Sequence, residues 1–556
     1  MRNTKSKLGG AAFLTLILLA SCSKPSSTSS GPPPGSLELV FPYGSEKEKW
    51  ITEVTEAFNR SGHKTKGGRT IYVTATAMGS GESIDEVLAG RIKAHIISPA
   101  SAVFIKLANA QSKASTGSDL VANTENLVLS PVVIAMWKPM AEALGWPNKP
   151  VGWADILNLA RNPRGWADFG FPQWGRFKFG HTHPAYSNSG LISVLAETYA
   201  AVHKTRDLTM ADVEKPSTGE YINAIQQSVV HYGSSTGFFG RQMFANGPQY
   251  LSAAILYESM VVESYGQANL AFPVVAIYPK EGTFWSDHPI GVVEREWVTP
   301  EHREAAAIYV RYLLDKPSQQ KALSYGFRPA SVDVPAGAPI DTAHGVDPAE
   351  PKTTLEVPPV ELISRILSVW QANKKTADVV LVLDTSGSMN QDEKIQNAKL
   401  GAQQFLTMMG ERDSLSFLPF SSDFNWAFED LALGPQGKSK ATAAVNSVFA
   451  AGETSLYDSI QAAYQHLKQR GAGGKIQAVV VLTDGEDTDS KTKLPALLDE
   501  VRCNGESSAI RIFTIAYGRD AKKDVLQQIA EATQAKSYIG NPQTIVGVFR
   551  DVSTFF

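Results

Sequence analysis

Cysteine is nearly absent from this chain: 556 residues contain two, Cys22 and Cys503. The first stands at an expected cleavage point, so no intramolecular disulfide is available once it is consumed, and core burial alone must hold the fold. Cys503, near a predicted helix end, reads as a packed thiol. Excess charge is missing too. The formal net charge is −3, with no long basic run and no aromatic stacking motif, which argues against nucleic acid. There is no HExxH motif and no CxxC pair. The apolar stretch at residues 11–20 (AAFLTLILLA) is too short to span a bilayer.

What is present is enough for real cores. Hydrophobic residues make up 43% and charged residues 19%, an ordinary balance for globular domains. The length suggests about two to four of them. Arg2, Lys5 and Lys7 precede the apolar stretch, and Leu19-Ala20-Ser21-Cys22 follows it. That order makes a signal peptide over 1–22. The segment resembles the lipobox of bacterial lipoproteins, which implies lipidation of Cys22, a membrane anchor and a place in the cell envelope. Residues 23–36 (SKPSSTSSGPPPGS) cannot bury a core and read as a flexible tether.

From residue 37 onward, strand and helix patterns alternate, which implies an α/β fold. Strands are expected at 37–41, 71–77, 94–97, 127–136 and 271–278. Capping boxes Ser45/Glu48 and Ser83/Glu86 announce helices, as does Thr299-Pro300. A helix from Pro359 to Ala372 leads into a new apolar strand, placing a boundary near 375: one domain over 37–375, another over 376–556. The second alternates again, with strands at 378–383, 413–419, 476–483 and 510–516. Helices are expected near 391–409, 456–470, 493–502, 521–533 and 543–553. This pattern predicts a doubly wound, Rossmann-like sheet.

Ligands of such sheets bind beyond the carboxyl ends of the strands. Two strands end in acids there, at Asp384 and Asp484. Asp384-Thr385-Ser386-Gly387-Ser388 sets two hydroxyls beside a carboxylate, and Thr454 precedes a helix. Hard oxygens in this number suit Mg²⁺, with Mn²⁺ or Ca²⁺ as alternatives. Asp384, Ser386, Ser388, Thr454 and Asp484-Gly485 resemble the metal-ion-dependent adhesion site of von Willebrand factor A (VWA) domains. The resemblance implies a divalent ion with one position open for an acidic residue of a partner protein. Asp487 and Asp489 nearby read as solvated loop acids.

The first domain places small polar residues where helices begin: Tyr43-Gly44-Ser45, Gly79-Ser80-Gly81, Ser98-Pro99-Ala100-Ser101 and Ser187-Asn188-Ser189-Gly190. Such termini favour small anions. The Leu37–Ser45 strand-to-helix start, with Leu129–Ala135, Gly152–Ile156, Ala276–Gly282 and Gly326–Ala330, makes this region similar to the type 2 periplasmic solute-binding proteins of ABC transporters. The resemblance implies two lobes and a solute cleft. Candidate ligand-binding residues are Tyr43, Ser45, Ser80, Gly81, Ser98, Ser101, Ser187, Asn188, Ser189 and Tyr257. Glu82 and Glu258 stand beside them, at odds with an oxyanion ligand.

Other motifs fall short. Gly233-Ser234-Ser235-Thr236-Gly237 matches G-x-S-x-G, but a helical pattern precedes it where a nucleophile elbow needs a strand. Gly437-Lys438-Ser439 lacks the first glycine of a phosphate loop. His181-Thr182-His183 reads as a polar loop. With no complete catalytic motif, the expectation is a binding protein rather than an enzyme: a lipoprotein that takes a small solute in its cleft and a protein partner through its metal. A receptor for an ABC transporter, or an assembly factor recruiting a catalytic partner, are the rival roles.

Overall fold

The computed structural model describes residues 31–502 and 510–556. The signal peptide, Cys22, most of the tether and Cys503 lie outside them. Among the described residues, no helix is long and apolar enough to cross a membrane.

The first lobe is built on β1 (Leu37–Gly44) and β2 (Ile71–Met78), paired in parallel from Leu37–Ile71 to Gly44–Met78. Alternation along β1 sends Leu37, Leu39, Phe41 and Tyr43 into a core shared with Trp50, Phe58 and Tyr309. A bridge from Tyr43 to Ser98 continues the lobe to β3 (Ile96–Ile97). β4 (Thr124–Asn126) then leads to β5 (Val128–Trp137), which carries the chain into the second lobe. There β6 (Phe179–Gly180), β7 (Ala253–Tyr257) and β8 (Val274–Ile277) complete a sheet in which β5 pairs with both β7 and β8. β9 (Trp285–Ser286) pairs with β5 at Pro131 and Ser130. It returns the chain to the first lobe, where β10 (Pro289–Val292) lies between β3 and β4. β11 (Arg328–Pro329) closes the region against the start of β5. The chain thus passes between the lobes at β5 and at β9, and again after β11, where Gly345 O accepts the Ala276 amide of the second lobe.

Helix Val360–Asn373 packs on the second-lobe helices Asn188–Val202 and Pro216–Gln226. Its Trp370 indole donates to Gln226 Oε1 at 3.2 Å. The chain then enters the last sheet. β12 (Ala377–Asp384), β13 (Ser414–Phe420), β14 (Phe428–Ala432), β15 (Ile476–Thr483), β16 (Arg511–Tyr517) and β17 (Ser537–Gly540) lie in the order β14-β13-β12-β15-β16-β17. All neighbours are parallel except the β13–β14 edge pair. β12 is buried on both faces. Val379, Leu381 and Leu383 join a core continuous with the second lobe, while Val380 and Val382 join the core under helix Leu456–Arg470.

Several expected boundaries need correction. The helix after β2 runs Ser80–Leu88, not from Ser83, because Glu82 Oε2 takes the Gly79 amide at 3.0 Å one turn earlier. Ser45 opens a short 3-10 turn rather than a capping box, and its hydroxyl is used elsewhere. The expected strands 94–97 and 271–278 shorten to β3 and β8. His181-Thr182-His183 forms a loop after β6 as expected, and His181 is fully buried in it, bonded to Thr182 O at 2.8 Å and to Gln226.

Candidate functional sites

The cleft is shut. From the second lobe, Tyr186 O accepts the amides of Gly81 (2.9 Å) and Glu82 (3.2 Å) of the first. Across from it, Ser45 Oγ accepts the Gly237 amide at 3.0 Å. The approach is too close for any side chain: a Cβ at Gly81 would stand 2.1 Å from Ala185 O, and one at Gly237 would stand 2.5 Å from Ser45 O. Glycine serves here by having no Cβ.

Each lobe carries bonded polar side chains next to this seal. Asn188 Nδ2 donates to Tyr257 Oη (3.0 Å) and Ser286 Oγ (3.1 Å). Ser187 Oγ lies 3.1 Å from Thr236 Oγ1, which donates to Ser189 Oγ at 2.9 Å. Ser80 Oγ accepts the Ala100 amide at 3.0 Å. Of the buried side-chain atoms without a hydrogen-bond partner, Ser98 Oγ, Asn188 Oδ1, Ser259 Oγ and His288 Nε2 belong to the solute-binding region here. Unmade bonds of this kind cost about 1–3 kcal/mol each.

The sequence reading missed the charged members. Lys47 Nζ lies 2.7 Å from Glu46 Oε1 and 3.2 Å from His288 Nδ1, all three buried. Burial alone would raise the Glu46 carboxyl, but Lys47 and His288 override it and hold the acid at about 2. Burial pushes Lys47 and His288 down, against the pull of Glu46. His288 sits at φ +38°, uncommon for a residue with a Cβ, and its ring meets Tyr257 at 5.5 Å. The available signal was Glu46-Lys47 directly after the Tyr43-Gly44-Ser45 loop.

Two candidates point elsewhere. Tyr43 faces the first-lobe core beside Phe41, with ring centroids 5.4 Å apart, because the strand alternation turns it inward. Ser101 Oγ takes the Val103 amide at 3.2 Å and caps helix Ala102–Thr116. Glu258 is spent on Arg328, at 2.7 Å and 2.8 Å, and on the Tyr278 hydroxyl, so its charge is neutralised. Glu82 is raised to about 7 by burial and by the Asp551 carboxylate.

The second site gathers at the carboxyl ends of β12 and β15. Asp384 Oδ1 accepts the Ser386 amide at 2.8 Å, and Thr483 Oγ1 donates to its other oxygen at 2.5 Å. Ser386 and Ser388 hydroxyls are 3.1 Å apart, and Ser388 Oγ donates to Asp484 Oδ1 at 2.7 Å. Thr454 is beside them: a Cβ on Gly485 would lie 3.6 Å from its hydroxyl. Burial raises the Asp384 carboxyl, more than its hydrogen bonds lower it. The five oxygen-bearing residues therefore converge from three separate segments, a donor set suited to a hard divalent cation. Lys394, unexpected from the sequence, is 6% exposed and places its ammonium 2.7 Å from Asp484 Oδ2. Asp487 departs from the solvated-loop reading. It accepts the Tyr457 amide at 3.2 Å and the Ser490 hydroxyl, bracing the start of helix Leu456–Arg470.

The C-terminal helix Ile545–Ser553 and its tail touch both lobes of the first domain. Arg550 pairs with Glu86 of the first lobe. Phe555 O accepts the Tyr232 amide of the second lobe at 3.2 Å, and its ring packs on His231 and Phe238.

This two-lobed geometry has a counterpart among known families. Residues 40–328 match the model of the bacterial extracellular solute-binding proteins, just over half of the chain. The chain belongs to that family. Residues 378–544 match the von Willebrand factor type A domain. An uncharacterized protein of Mycobacterium tuberculosis is 21% identical over 519 residues, 86% of this chain and 71% of that one. Among solved structures, a periplasmic thiamin binding protein (13% identity, TM-score 0.44) aligns with 62% of this chain and 98% of its own. The sulfate-binding protein SubI of M. tuberculosis H37Rv (18%, TM-score 0.36) covers 54% and 92%. A von Willebrand factor type A protein from Catenulispora acidiphila (19%, TM-score 0.29) covers 33% and 42%. The protein is thus an extracellular-type solute-binding domain followed by a VWA domain.

Proposed function

We propose that this protein is a non-catalytic cell-envelope lipoprotein, anchored through Cys22, that closes its two lobes on a small polar solute. The observation supporting this reading is the pair of buried, unpartnered polar atoms contributed one by each lobe, Asn188 Oδ1 and Ser98 Oγ, alongside the Gly81–Tyr186 seal. Asn188 offers an acceptor there, and Ser98 offers a donor or an acceptor. The Lys47 charge is balanced by Glu46, so a neutral, zwitterionic or singly anionic solute suits the cleft better than a polyanion. Closure requires the lobes to part for entry. Solute binding should raise stability by mass action, about 2.7 kcal/mol at a hundredfold excess over Kd. Loss of that gain in Asn188→Ala tests the assignment.

The VWA domain supplies the second recognition step in this proposal. Asp384, Ser386, Ser388, Thr454 and Asp484 would hold Mg²⁺ or a similar ion, with Mn²⁺ or Ca²⁺ as alternatives. Such an ion supplies a Lewis-acidic position for a carboxylate of a partner protein. The chain's own part is to orient the oxygens: the Ser386 amide and Thr483 hydroxyl fix Asp384, and Lys394 balances Asp484. Calorimetry with Mg²⁺ against wild type and Asp384→Ala tests this step. Absence of divalent-ion binding in the wild type would remove it.

A further inference from the structure

A cavity of about 700 Å³ lies between the second lobe and the VWA domain, away from both sites above. It sits at the amino ends of β15 and β16, whereas the aspartates stand at the carboxyl ends of β12 and β15. Its volume is that of a small-molecule site. Its charge is one-sided. Arg176 and Lys178 come from the second lobe, Lys375 from the junction, and Lys475 and Arg511 from the VWA domain, and no carboxylate lines it among the described residues.

Cations this close are ordinarily paired. Here Arg176, Lys375, Lys475 and Arg511 have no carboxylate within ion-pair distance among the described residues. Lys375 Nζ donates to Val229 O at 3.0 Å, and Lys475 Nζ to Ser414 Oγ at 3.3 Å. Arg511 is 4% exposed. One terminal nitrogen of its guanidinium donates to Thr533 O at 2.8 Å, and the group stacks 4.9 Å from the Tyr250 ring. Its Nε has no partner. The Arg511 guanidinium, fixed by stacking on the cavity wall, presents a planar cationic group to an anionic oxygen. Burial and the neighbouring Arg176 push Lys375 down to about 8, so an incoming anion would relieve a standing electrostatic cost.

We propose that this interdomain cavity binds a small phosphate-bearing anion, gripped by Arg176 and Lys375 on one side and Lys475 and Arg511 on the other. Because the grip spans two domains, the anion ties the solute-binding body to the VWA domain. This site is independent of the cleft and of the metal site.

The test uses the full mature chain at about 0.15 M salt, where exposed-charge effects are screened. Inorganic pyrophosphate is titrated calorimetrically, with citrate as a non-phosphate polyanion. The expected result is saturable pyrophosphate binding, weakened about tenfold or more by Arg176→Glu or Lys475→Glu. Both residues lie at the cavity rim and leave the cores intact. Asn188→Ala, which alters the cleft, should leave pyrophosphate affinity unchanged. No binding at millimolar pyrophosphate, affinity indifferent to both charge reversals, loss of affinity in Asn188→Ala, or citrate binding as tightly as pyrophosphate would each overturn the proposal.

Discussion

The Gly81 amide donates to Tyr186 O across the interlobe cleft at 2.9 Å, so backbone meets backbone with no side chain between. Closure therefore depends on a missing Cβ. Gly81→Val should bar closure, since its Cβ would stand 2.1 Å from Ala185 O of the opposite lobe; on its own side it would press Phe104 Cε1 at 2.9 Å, which that ring must shift to accommodate. The expected outcome is a larger radius of gyration by small-angle scattering and a marked loss of solute affinity, with helical circular dichroism retained. A variant as compact as wild type would show that the seal is not needed.

Lys47 and Glu46 form a buried pair inside the cleft. Lys47→Met should destabilise the protein by about 3–5 kcal/mol, because an unpaired carboxylate is left in low dielectric. The double change Glu46→Gln with Lys47→Met should recover part of that loss. Urea denaturation midpoints check both. The depressed Glu46 carboxyl contributes stability that is whole above pH 4.5 and fades as pH falls toward about 2.

Glu197 has the opposite sign. Burial raises it to about 8, above the 4.5 of an unfolded chain, although Ser193 (2.9 Å) and Gln226 (3.1 Å) donate to it. Its contribution is present below pH 4.5 and is lost as pH rises through about 8. Glu197→Gln keeps the shape and removes the titration. The melting temperature of the variant relative to wild type should therefore climb between pH 5 and pH 9. A constant difference would place the acid in an ordinary range.

In the VWA domain, Lys394 balances Asp484 where the oxygen-bearing side chains of the proposed metal site converge. Lys394→Met should lower the melting temperature in EDTA and enlarge the rise on adding Mg²⁺, since the ion would then be the sole counter-charge. Asp384→Ala should abolish the Mg²⁺ response, and Thr454→Ala, removing a neutral oxygen, should weaken it less. Differential scanning calorimetry with and without Mg²⁺ separates these outcomes.

Much of this was readable beforehand, for a physical reason. β12, β15 and β16 are buried on both faces, so they read as apolar runs and their ends fall within a residue or two of expectation. β14 was missed because its exposed edge sequence, FEDLA, shows no alternation. Ser83/Glu86 misled because Ser-x-x-Glu also occurs inside a helix, while the true cap at Gly79 offers no side chain. The metal candidates could be named from motif spacing. Lys394 could not, since a lysine opening a helix ordinarily faces water. The cleft was legible only as hydroxyl-rich loops, and pattern alone did not reveal that Glu46, Lys47 and His288 would be buried together.

The proposed cleft holds a small solute through Asn188 and its neighbours. The direct measurement is thermal stability of the mature protein against a panel of amino acids, sugars, vitamins and small anions, run in parallel on Asn188→Ala. At least one solute is expected to raise the wild-type melting temperature in a saturable way and to leave the variant unmoved. A solute that stabilises both proteins equally, or a panel that stabilises neither, would contradict it.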